Sequence, residues 1–338
     1  MTSQVIPGYA AMAAGQRLEP YSYELPELKG HDVLVSVTHC GVCYSDIQAI
    51  DDFYEVTTYP FVPGHEVVGN VMELGPAATG LKKGDRVAIG WQGRSCGKCE
   101  WCLKGQEQLC IDVENNGVWF THGGFAAAMV ADSRFVYPVP EAMPSEHAAA
   151  LMCAGLTVYS SLRAHSAGPS TRVGVIGVGG LGHLALQFGR ALGCRVTAFS
   201  SSPEKEEEAL GLGAEDFVRI DDRPSLKQRG DSYDLLLYTN HANVDWKYVV
   251  NLLKRRGTIS MMGFPASVEF NPQELVVREL SMTGSFLGSP ATMREMLSFA
   301  QAKGISPKVE LMPMTEVNEA VQRVREGKAR YRIVLTTF

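Results

Sequence analysis

Four cysteines crowd into one short stretch of the chain, SCGKCEWCLKGQEQLC. Their spacing is Cys-x2-Cys-x2-Cys-x7-Cys, and they are Cys96, Cys99, Cys102 and Cys110. A bacterial iron–sulfur run would place its fourth cysteine after three residues and follow it with proline. Here seven residues intervene and Ile111 follows. Four thiolates suit a closed tetrahedral zinc shell, which leaves no position for a substrate. The stretch therefore predicts a structural zinc lobe, whose tight curl Gly97 and Gly105 permit because glycine tolerates φ > 0.

Two other uses of these thiols compete with the zinc interpretation. They are a set of unrelated thiols and a redox pair formed by one Cys-x2-Cys motif. A redox pair requires a strand that enters the motif and a helix that leaves it, and no such strand is predicted before Cys96. In a reducing compartment, where stable disulfides are rare, clustered cysteines favour metal binding or catalysis.

A second set of metal-ligand residue types is dispersed along the chain. VLVSVTHCGVCYSDIQ predicts a strand that runs into a glycine-containing turn, and YPFVPGHEVVGNV predicts a Pro-Gly turn before His65. ALMCAGLTVYSSL places Cys153 at the start of an apolar helical segment. Each residue singly is more typical of a structural role. Together they offer two thiolates and one imidazole, a set that leaves zinc's fourth position open for catalysis, and we expect Asp46 to fix the imidazole tautomer.

A glycine-rich turn stands between a predicted strand and a predicted helix in TRVGVIGVGGLGHLALQFGRALG. Glycines here would let the backbone approach a pyrophosphate at the helix N-terminus. The alternative is a glycine-rich turn in some other α/β protein. The candidate cofactor contacts are Gly177, Gly179, Gly180, Leu181 and Gly182.

The end of the next strand, RVTAFS, decides which dinucleotide fits. An NAD site usually has Asp or Glu there to bind the ribose 2′-hydroxyl. This chain instead continues with Ser200, Ser201, Ser202, Pro203, Glu204 and Lys205. Hydroxyls and a lysine can bind a 2′-phosphate, so the run predicts NADP(H). The alternative is a polar loop in which Ser202 merely caps the helix that begins at Pro203.

Composition and charge limit the functional class. The chain has 338 residues, of which 45% are hydrophobic and 20% charged, and a net charge of −6. This acidic balance argues against a broad nucleic-acid or anionic-membrane surface. No apolar run approaches the roughly 18 residues of a membrane span, and the first twenty residues lack the pattern of a secretory signal. We therefore expect a cytoplasmic enzyme.

Strand and helix patterns divide the chain. Residues 1–150 are rich in short β-runs, glycines and prolines. From about residue 151, strands such as VGVIG, VTAFS, YDLLLYT, GTISMMG and LSMTGSF alternate with helical segments. This alternation predicts an α/β fold with a doubly wound parallel sheet.

The motifs CGVCYSD, PGHEVVG and LMCAGLTVYSSL, with the four-cysteine stretch, resemble the zinc-dependent medium-chain alcohol dehydrogenases. The chain is most similar to the cinnamyl alcohol dehydrogenase branch, and within it to bacterial NADPH-dependent broad-range aldehyde reductases. The likeness runs nearly end to end, through VGVIGVGGLGHLALQF and VTAFSSSPEK to GKARYRIVL. It implies a GroES-like, β-rich catalytic domain over 1–150 to which 289–338 returns, and an NADP-binding Rossmann domain over 151–288.

The resemblance also implies roles for individual residues. Cys43, His65 and Cys153 would hold a catalytic zinc, and Glu66 would be an exchangeable ligand or lie just behind the ligands. Cys40 and Cys194 match no ligand position and are expected in the core. Ser45 would begin the proton relay to the product; its alternative role is to cap a helix beginning near Asp46.

Further cofactor contacts follow from the same resemblance. Thr157 would lie against the nicotinamide and Arg332 would reach the pyrophosphate, while Thr239, Gly263 and Ser285 would contact the cofactor through backbone or hydroxyl groups. A homodimer formed by edge pairing of the cofactor domains is the family expectation.

Three positions depart from the family pattern. Gln48 stands where many relatives carry the histidine that ends the proton relay, and Tyr44 stands where this branch often has histidine. Tyr54 replaces the tryptophan of close relatives, which should reshape the substrate pocket. The pocket candidates are Tyr54, Trp91 and Phe286.

The sequence thus predicts an oxidoreductase that transfers hydride between NADP(H) and a primary alcohol or aldehyde at a zinc centre, as an aldehyde reductase of broad range. A polyol or secondary-alcohol dehydrogenase of the same superfamily is the second enzyme reading, which the serine run disfavours. A nucleotide-binding zinc protein without activity is the third. The open ligand set argues against it.

Overall fold

In the computed structural model the described residues are 5–116 and 122–337. Within these ranges the strands are β1 (Val5–Ala10), β2 (Glu19–Glu24), β3 (Asp32–Val42), β4 (Glu66–Leu74), β5 (Arg86–Ile89), β6 (Gln92–Arg94), β7 (Glu114–Asn115), β8 (Ala128–Asp132), β9 (Val136–Pro138), β10 (Arg172–Ile176), β11 (Arg195–Ser200), β12 (Asp216–Arg219), β13 (Tyr233–Tyr238), β14 (Leu253–Met261), β15 (Ser281–Gly284), β16 (Val309–Pro313) and β17 (Arg332–Thr336). The α-helices are α1 (Tyr44–Ile50), α2 (Glu100–Leu103), α3 (Ser145–Ala150), α4 (Leu156–Ala164), α5 (Gly182–Ala191), α6 (Glu206–Gly211), α7 (Arg223–Gln228), α8 (Trp246–Leu252), α9 (Gln273–Arg278), α10 (Pro290–Lys303) and α11 (Val317–Arg325).

The chain divides into two compact units. The first comprises Met1–Cys153 and Gly288–Phe338, and the second comprises Ala154–Leu287. The first unit is therefore built from two separate stretches of chain, which meet where β17 pairs antiparallel with β3 and places Ile333 opposite Val42.

The first unit is dominated by one mostly antiparallel sheet. Its strands follow the order β16-β17-β3-β4-β5-β9, and β8 also pairs with β3. Alternating valines make β3 a central strand, since Val33, Val35 and Val37 are all buried. The register of β3 on β4 places Gly41 opposite Glu66, so the end of this strand pair carries residues of the candidate site.

The second unit is a parallel sheet in the strand order β12-β11-β10-β13-β14-β15. From β10 the strand order proceeds to one side through β11 and β12, and to the other side through β13, β14 and β15, while all six strands stay parallel. This is the doubly wound order, in which ligands bind beyond the carboxyl ends of the strands where the order reverses. The continuous apolar runs of β10 and β13 are buried, as expected for strands covered on both faces.

Several local expectations are corrected by the structure. β12 was not predicted, because its sequence DFVR carries two charges in four residues. Cys153 lies inside a π-helical turn, Leu151–Gly155, between α3 and α4, and not at the start of a helix. A short strand, β6, does precede the first Cys-x2-Cys pair, but it pairs antiparallel with β7 and is not part of a βαβ unit. The predicted fold class is confirmed.

None of the described helices is long and apolar enough to cross a membrane.

Candidate metal centres and dinucleotide site

Four buried side chains of the first unit converge at the ends of different elements. Their candidate ligand atoms all lie within 4.8 Å of one another, and they are Cys43, His65, Glu66 and Cys153. Cys43 is the N-cap of α1, and its Sγ is 3.9 Å from Sγ of Cys153. Glu66 begins β4 and His65 directly precedes it. The structure thus brings together four residues that the sequence separates by as many as 110 positions.

Asp46 organises this cluster. Its Oδ1 lies 2.8 Å from Nδ1 of His65 and accepts a hydrogen bond from Gly64 N at 3.1 Å. Its Oδ2 accepts from Cys43 N at 2.8 Å, which also closes the first turn of α1. Both Asp46 and His65 are fully buried. Because the carboxylate engages Nδ1, the proton of the neutral imidazole belongs there and Nε2 is the ligand atom.

The open nitrogen of His65 tests whether a metal fits. Among the described residues Nε2 has no hydrogen-bond partner, although the side chain has no solvent exposure. A buried nitrogen without a partner is costly unless something else satisfies it. With the two thiols and a carboxylate beside it, the donor set is the mixed N/S type that zinc prefers. The residues present therefore fit a zinc ion.

Electrostatics favour the deprotonated, metal-binding state of Cys43. A hydrogen bond from Cys153 lowers the pKa of the Cys43 thiol well below its usual range, against the effect of burial, and the positive charge of Arg332 contributes. Burial alone would disfavour charge on His65, but the adjacent Asp46 carboxylate raises its pKa to about 10. The charged imidazole carries a second proton at Nε2, and a metal cation bound there would replace that proton.

Glu66 lies at the back of the cluster in a buried ion pair. Its Oε1 contacts Nη2 of Arg332, and the two side chains are 0% and 5% exposed. Arg332, predicted to reach a pyrophosphate, is thus placed beside Glu66. Gly41 makes room for this pair, since a Cβ at that position would sit 2.1 Å from Oε2 of Glu66. The sequence analysis missed this role of Gly41 and placed it in a turn, whereas the structure includes it in β3.

The four-cysteine lobe forms a separate cluster in the first unit. The candidate ligand atoms of Cys96, Cys99, Cys102 and Cys110 also lie within 4.8 Å of one another. Backbone N–H groups of Cys99 and Asp112 donate to Sγ of Cys96 and Cys110, at 3.3 and 3.4 Å. Gly97 and Gly105 have φ values of 67° and 68°, as predicted. None of the eight cysteines, all of them within the described residues, takes part in a disulfide bond.

The predicted relay residue Ser45 lies in the first turn of α1. The alternative in which it caps a helix beginning near Asp46 is wrong, because the helix begins at Tyr44 and Cys43 is the N-cap. In the loop that follows α1, Tyr54 donates a hydrogen bond to Oε1 of Gln48 at 2.9 Å. Sequence reasoning missed this contact.

The three pocket candidates have different environments. Trp91 is buried, and its ring meets that of His65 edge-on at 5.0 Å. Tyr54 is half-buried in the same unit. Phe286 belongs to the second unit and is 44% exposed. The structure therefore places Trp91 against a candidate ligand, whereas Phe286 lies on the surface of its own unit.

In the second unit, the glycine run follows β10 and leads into α5. Gly177 has φ of 95°, and a Cβ at Gly182 would sit 1.9 Å from the carbonyl oxygen of Gly177. The turn therefore cannot accept side chains at these two positions. Leu181 is the N-cap of α5, so the amides of Gly182 and its neighbours open the helix. A turn of this kind ahead of a helix N-terminus suits a pyrophosphate.

The serine run lies at the carboxyl end of β11. Ser200 is buried and its Oγ accepts from Ser202 N at 3.2 Å. Ser202 is the N-cap of a 3-10 turn that begins at Pro203, yet its side chain makes no capping hydrogen bond. Lys205 reaches back to the glycine loop, where Nζ donates to the carbonyl of Val178 at 2.8 Å. The run and the glycine loop are therefore neighbours.

The remaining predicted cofactor residues are spread over the second unit. Thr239 follows β13, and its hydroxyl donates to the carbonyls of Ile176 and Gly177. Gly263 follows β14 and Ser285 follows β15, so all three stand at the carboxyl edge of the sheet. Thr157 is buried in α4.

Comparison with known proteins agrees with this geometry. Residues 29–141 match the alcohol dehydrogenase GroES-like domain, and residues 180–302 match the zinc-binding dehydrogenase family. The chain belongs to the zinc-dependent medium-chain alcohol dehydrogenases. The aldehyde reductase AdhA of Synechocystis is 37% identical over 333 residues, which cover 98% of this chain and 99% of that protein. An NADP-dependent alcohol dehydrogenase C of Mycolicibacterium smegmatis is 36% identical over 341 residues, 98% of both chains.

Solved dehydrogenase structures give the same result. A cinnamyl alcohol dehydrogenase from Sorghum bicolor superposes with a TM-score of 0.94 at 36% identity, covering 98% of both chains. The Helicobacter pylori enzyme complexed with NADP(H) gives 0.92 at 28% identity and 99% of both chains. The family, the fold class and the class of enzyme predicted from the sequence motifs are confirmed.

Proposed function

We propose that this dehydrogenase reduces a broad range of aldehydes to primary alcohols with NADPH, and catalyses the reverse oxidation, at a zinc centre held by Cys43, His65 and Cys153. The buried convergence of these three residues, with Nε2 of His65 left for a metal, is the observation that carries the proposal. The four-cysteine lobe holds a second, structural zinc. The substrates of the enzyme are small alcohols and aldehydes.

When bound, zinc supplies Lewis acidity at the substrate oxygen and NADPH supplies the hydride. The chain's own residues prepare the site. Asp46 fixes the tautomer of His65, and the lowered pKa of Cys43 keeps that ligand anionic. The buried ligands exclude water from the metal side. Ser45 Oγ holds the proton that the product oxygen takes.

The second unit binds the dinucleotide. The turn at Gly177, Gly179 and Gly182 and the amides at the start of α5 bind the pyrophosphate. The hydroxyls of Ser200 to Ser202 and the ammonium of Lys205 bind the 2′-phosphate, where a carboxylate would repel it. Lys205 can bind the phosphate while it keeps its hydrogen bond to the Val178 carbonyl, because an ammonium has three N–H donors.

Two finer expectations belong to this proposal: a homodimer and a cytoplasmic location. β15 is the last strand in the order of its sheet, and in the described residues its outer edge has no partner strand. Such an edge suits antiparallel pairing with a second copy. Sedimentation of the purified chain tests the dimer.

The first experiment measures initial rates of NADPH and NADH oxidation with butanal and with cinnamaldehyde, using zinc-replete protein. Turnover that prefers NADPH supports the proposal, and equal turnover with NADH contradicts the role given to Ser200 to Lys205. No turnover with either cofactor would favour a polyol or secondary-alcohol substrate. The matched variants are Cys43→Ala, which should be inactive, and Cys40→Ala, which changes a nearby buried cysteine outside the ligand cluster.

A further inference from the structure

The candidate relay on α1 has an unusual neutral partner. Gln48 is buried in the helix, three residues after Ser45, so the two side chains share one helix face. An amide cannot ionise, and it therefore cannot accept or release a proton near neutral pH. Whatever Gln48 does for Ser45, it must do by hydrogen bonding.

The loop after α1 folds a tyrosine back over this face. Phe53 N donates to the carbonyl of Gln48 at 2.8 Å, so the chain reverses directly at the helix end. Asp52 Oδ1 accepts from the backbone N–H groups of Val56 and Thr57, both at 2.9 Å. These bonds tie the loop on both sides of Tyr54, so its ring position is set by the backbone.

The Tyr54 hydroxyl reaches this polar helix face. It donates to Oε1 of Gln48 at 2.9 Å, and Ser45 lies one turn before Gln48 on the same face. A phenol has one proton, so with that proton on Gln48 its oxygen is left to accept from Ser45. Burial raises the pKa of Tyr54, which keeps the phenol neutral and able to donate.

We propose that Tyr54 is a positioning residue for the reaction: held by Gln48, its hydroxyl orients Oγ of Ser45 towards the substrate oxygen. This inference rests on the proposed function, in which Ser45 holds the proton for the product. It assigns to Tyr54 a role different from that of a pocket wall. Gln48 and Tyr54 then act as a pair, in which the amide oxygen of Gln48 is the acceptor that the Tyr54 hydroxyl needs.

The kinetic test compares Tyr54→Phe in the wild-type and Ser45→Ala backgrounds of the zinc-replete enzyme. We expect Tyr54→Phe to lower kcat about ten-fold with KM changed less than about two-fold. In the Ser45→Ala background the same change should cost less than about two-fold, because the group it positions is gone. Equal losses in both backgrounds, or a raised KM at unchanged kcat, would overturn the inference.

Matched variants separate the phenol from general disturbance. Tyr59→Phe also removes a phenol hydroxyl that bonds to α1, through the carbonyl of Ile50 at 3.0 Å, and should leave kcat unchanged. Gln48→Met removes the acceptor at similar volume and should lower kcat in the same direction as Tyr54→Phe. A Gln48→Met enzyme with unchanged kcat would contradict the pairing.

A readout without turnover distinguishes this inference from the proposed function. In protein labelled with 3-fluorotyrosine, the Tyr54 resonance is identified by its loss in Tyr54→Phe. It should shift on Ser45→Ala and on Gln48→Met, whereas the Tyr59 resonance should not. A Tyr54 resonance that is unmoved by Ser45→Ala overturns the inference even if aldehydes are reduced. If the resonances shift but the protein has no turnover, the proposed function is wrong and the inferred Ser45–Tyr54 contact is still supported.

Discussion

Oδ1 of Asp46 lies 2.8 Å from Nδ1 of His65, and neither side chain is exposed to solvent. The same carboxylate accepts two backbone N–H groups, from Cys43 and Gly64. One residue thus positions the imidazole, the helix start that carries Cys43 and the turn that precedes His65. Loss of its charge should act on the metal site through all three.

Asp46→Asn tests this arrangement. The amide offers one oxygen and one NH2 group to three N–H donors, so at least one donor loses its partner. We expect zinc affinity to fall about 10–100-fold. Metal content after dialysis against graded chelator measures it. Asp221→Asn, which changes an exposed ion pair with Arg219, is the control and should retain both zinc ions. Full zinc retention by Asp46→Asn would refute the assignment.

Gly41→Ala tests the room left for the buried ion pair. The added Cβ would meet Oε2 of Glu66 at 2.1 Å, in a fully buried place where the carboxylate cannot move without disturbing Arg332. Overpacking of this kind costs about 1–3 kcal/mol. We expect a lower thermal unfolding temperature. Gly211→Ala is the matched control, because its Cβ would point into open space among the described residues. Equal stability of the two variants would contradict the prediction.

The residues of local motifs could be predicted from sequence. The glycine turn between β10 and α5 and the four-cysteine lobe are each contiguous, so strand, turn and ligand spacing are visible in the sequence itself. The predicted positive φ at Gly97 and Gly105 followed from the same local reasoning. By contrast, the convergence of Cys43, His65 and Cys153 depends on the pairing of β3 with β4 and on the π-helical turn, and the sequence motifs supported it only through resemblance.

Contacts between distant side chains could not be predicted. The pairing of Arg332 with Glu66 depends on the register that sets β17 against β3 and β3 against β4. Tyr54 and Gln48 are close in sequence, but their hydrogen bond depends on a loop whose course is set by Asp52 side-chain bonds. β12 was missed because its charged residues hide a strand that its neighbour β11 stabilises.

Cys99→Ser tests the structural zinc. A hydroxyl is a poor replacement for a thiolate ligand, and zinc bound by a closed lobe contributes directly to its folding free energy. We expect the metal content to fall from two zinc ions to one and heat inactivation to become faster. Cys194→Ala, a buried cysteine outside both clusters, should keep two zinc ions. A Cys99→Ser protein with unchanged metal content and unchanged heat inactivation would contradict the assignment of a structural zinc to the lobe.

Ser200→Asp tests the choice of dinucleotide. Ser200 ends β11 at the place where a carboxylate would bind a ribose 2′-hydroxyl and repel a 2′-phosphate. We expect the ratio of kcat/KM for NADPH to that for NADH to fall by about 100-fold, which corresponds to about 2.8 kcal/mol.

The control is Ser232→Asp, which adds the same charge before β13, at the amino ends of the strands, and should leave the ratio unchanged. Because both variants carry the same net charge, a ratio that falls in both would reflect a general electrostatic effect. A ratio that falls only in Ser200→Asp locates the 2′-phosphate at the end of β11.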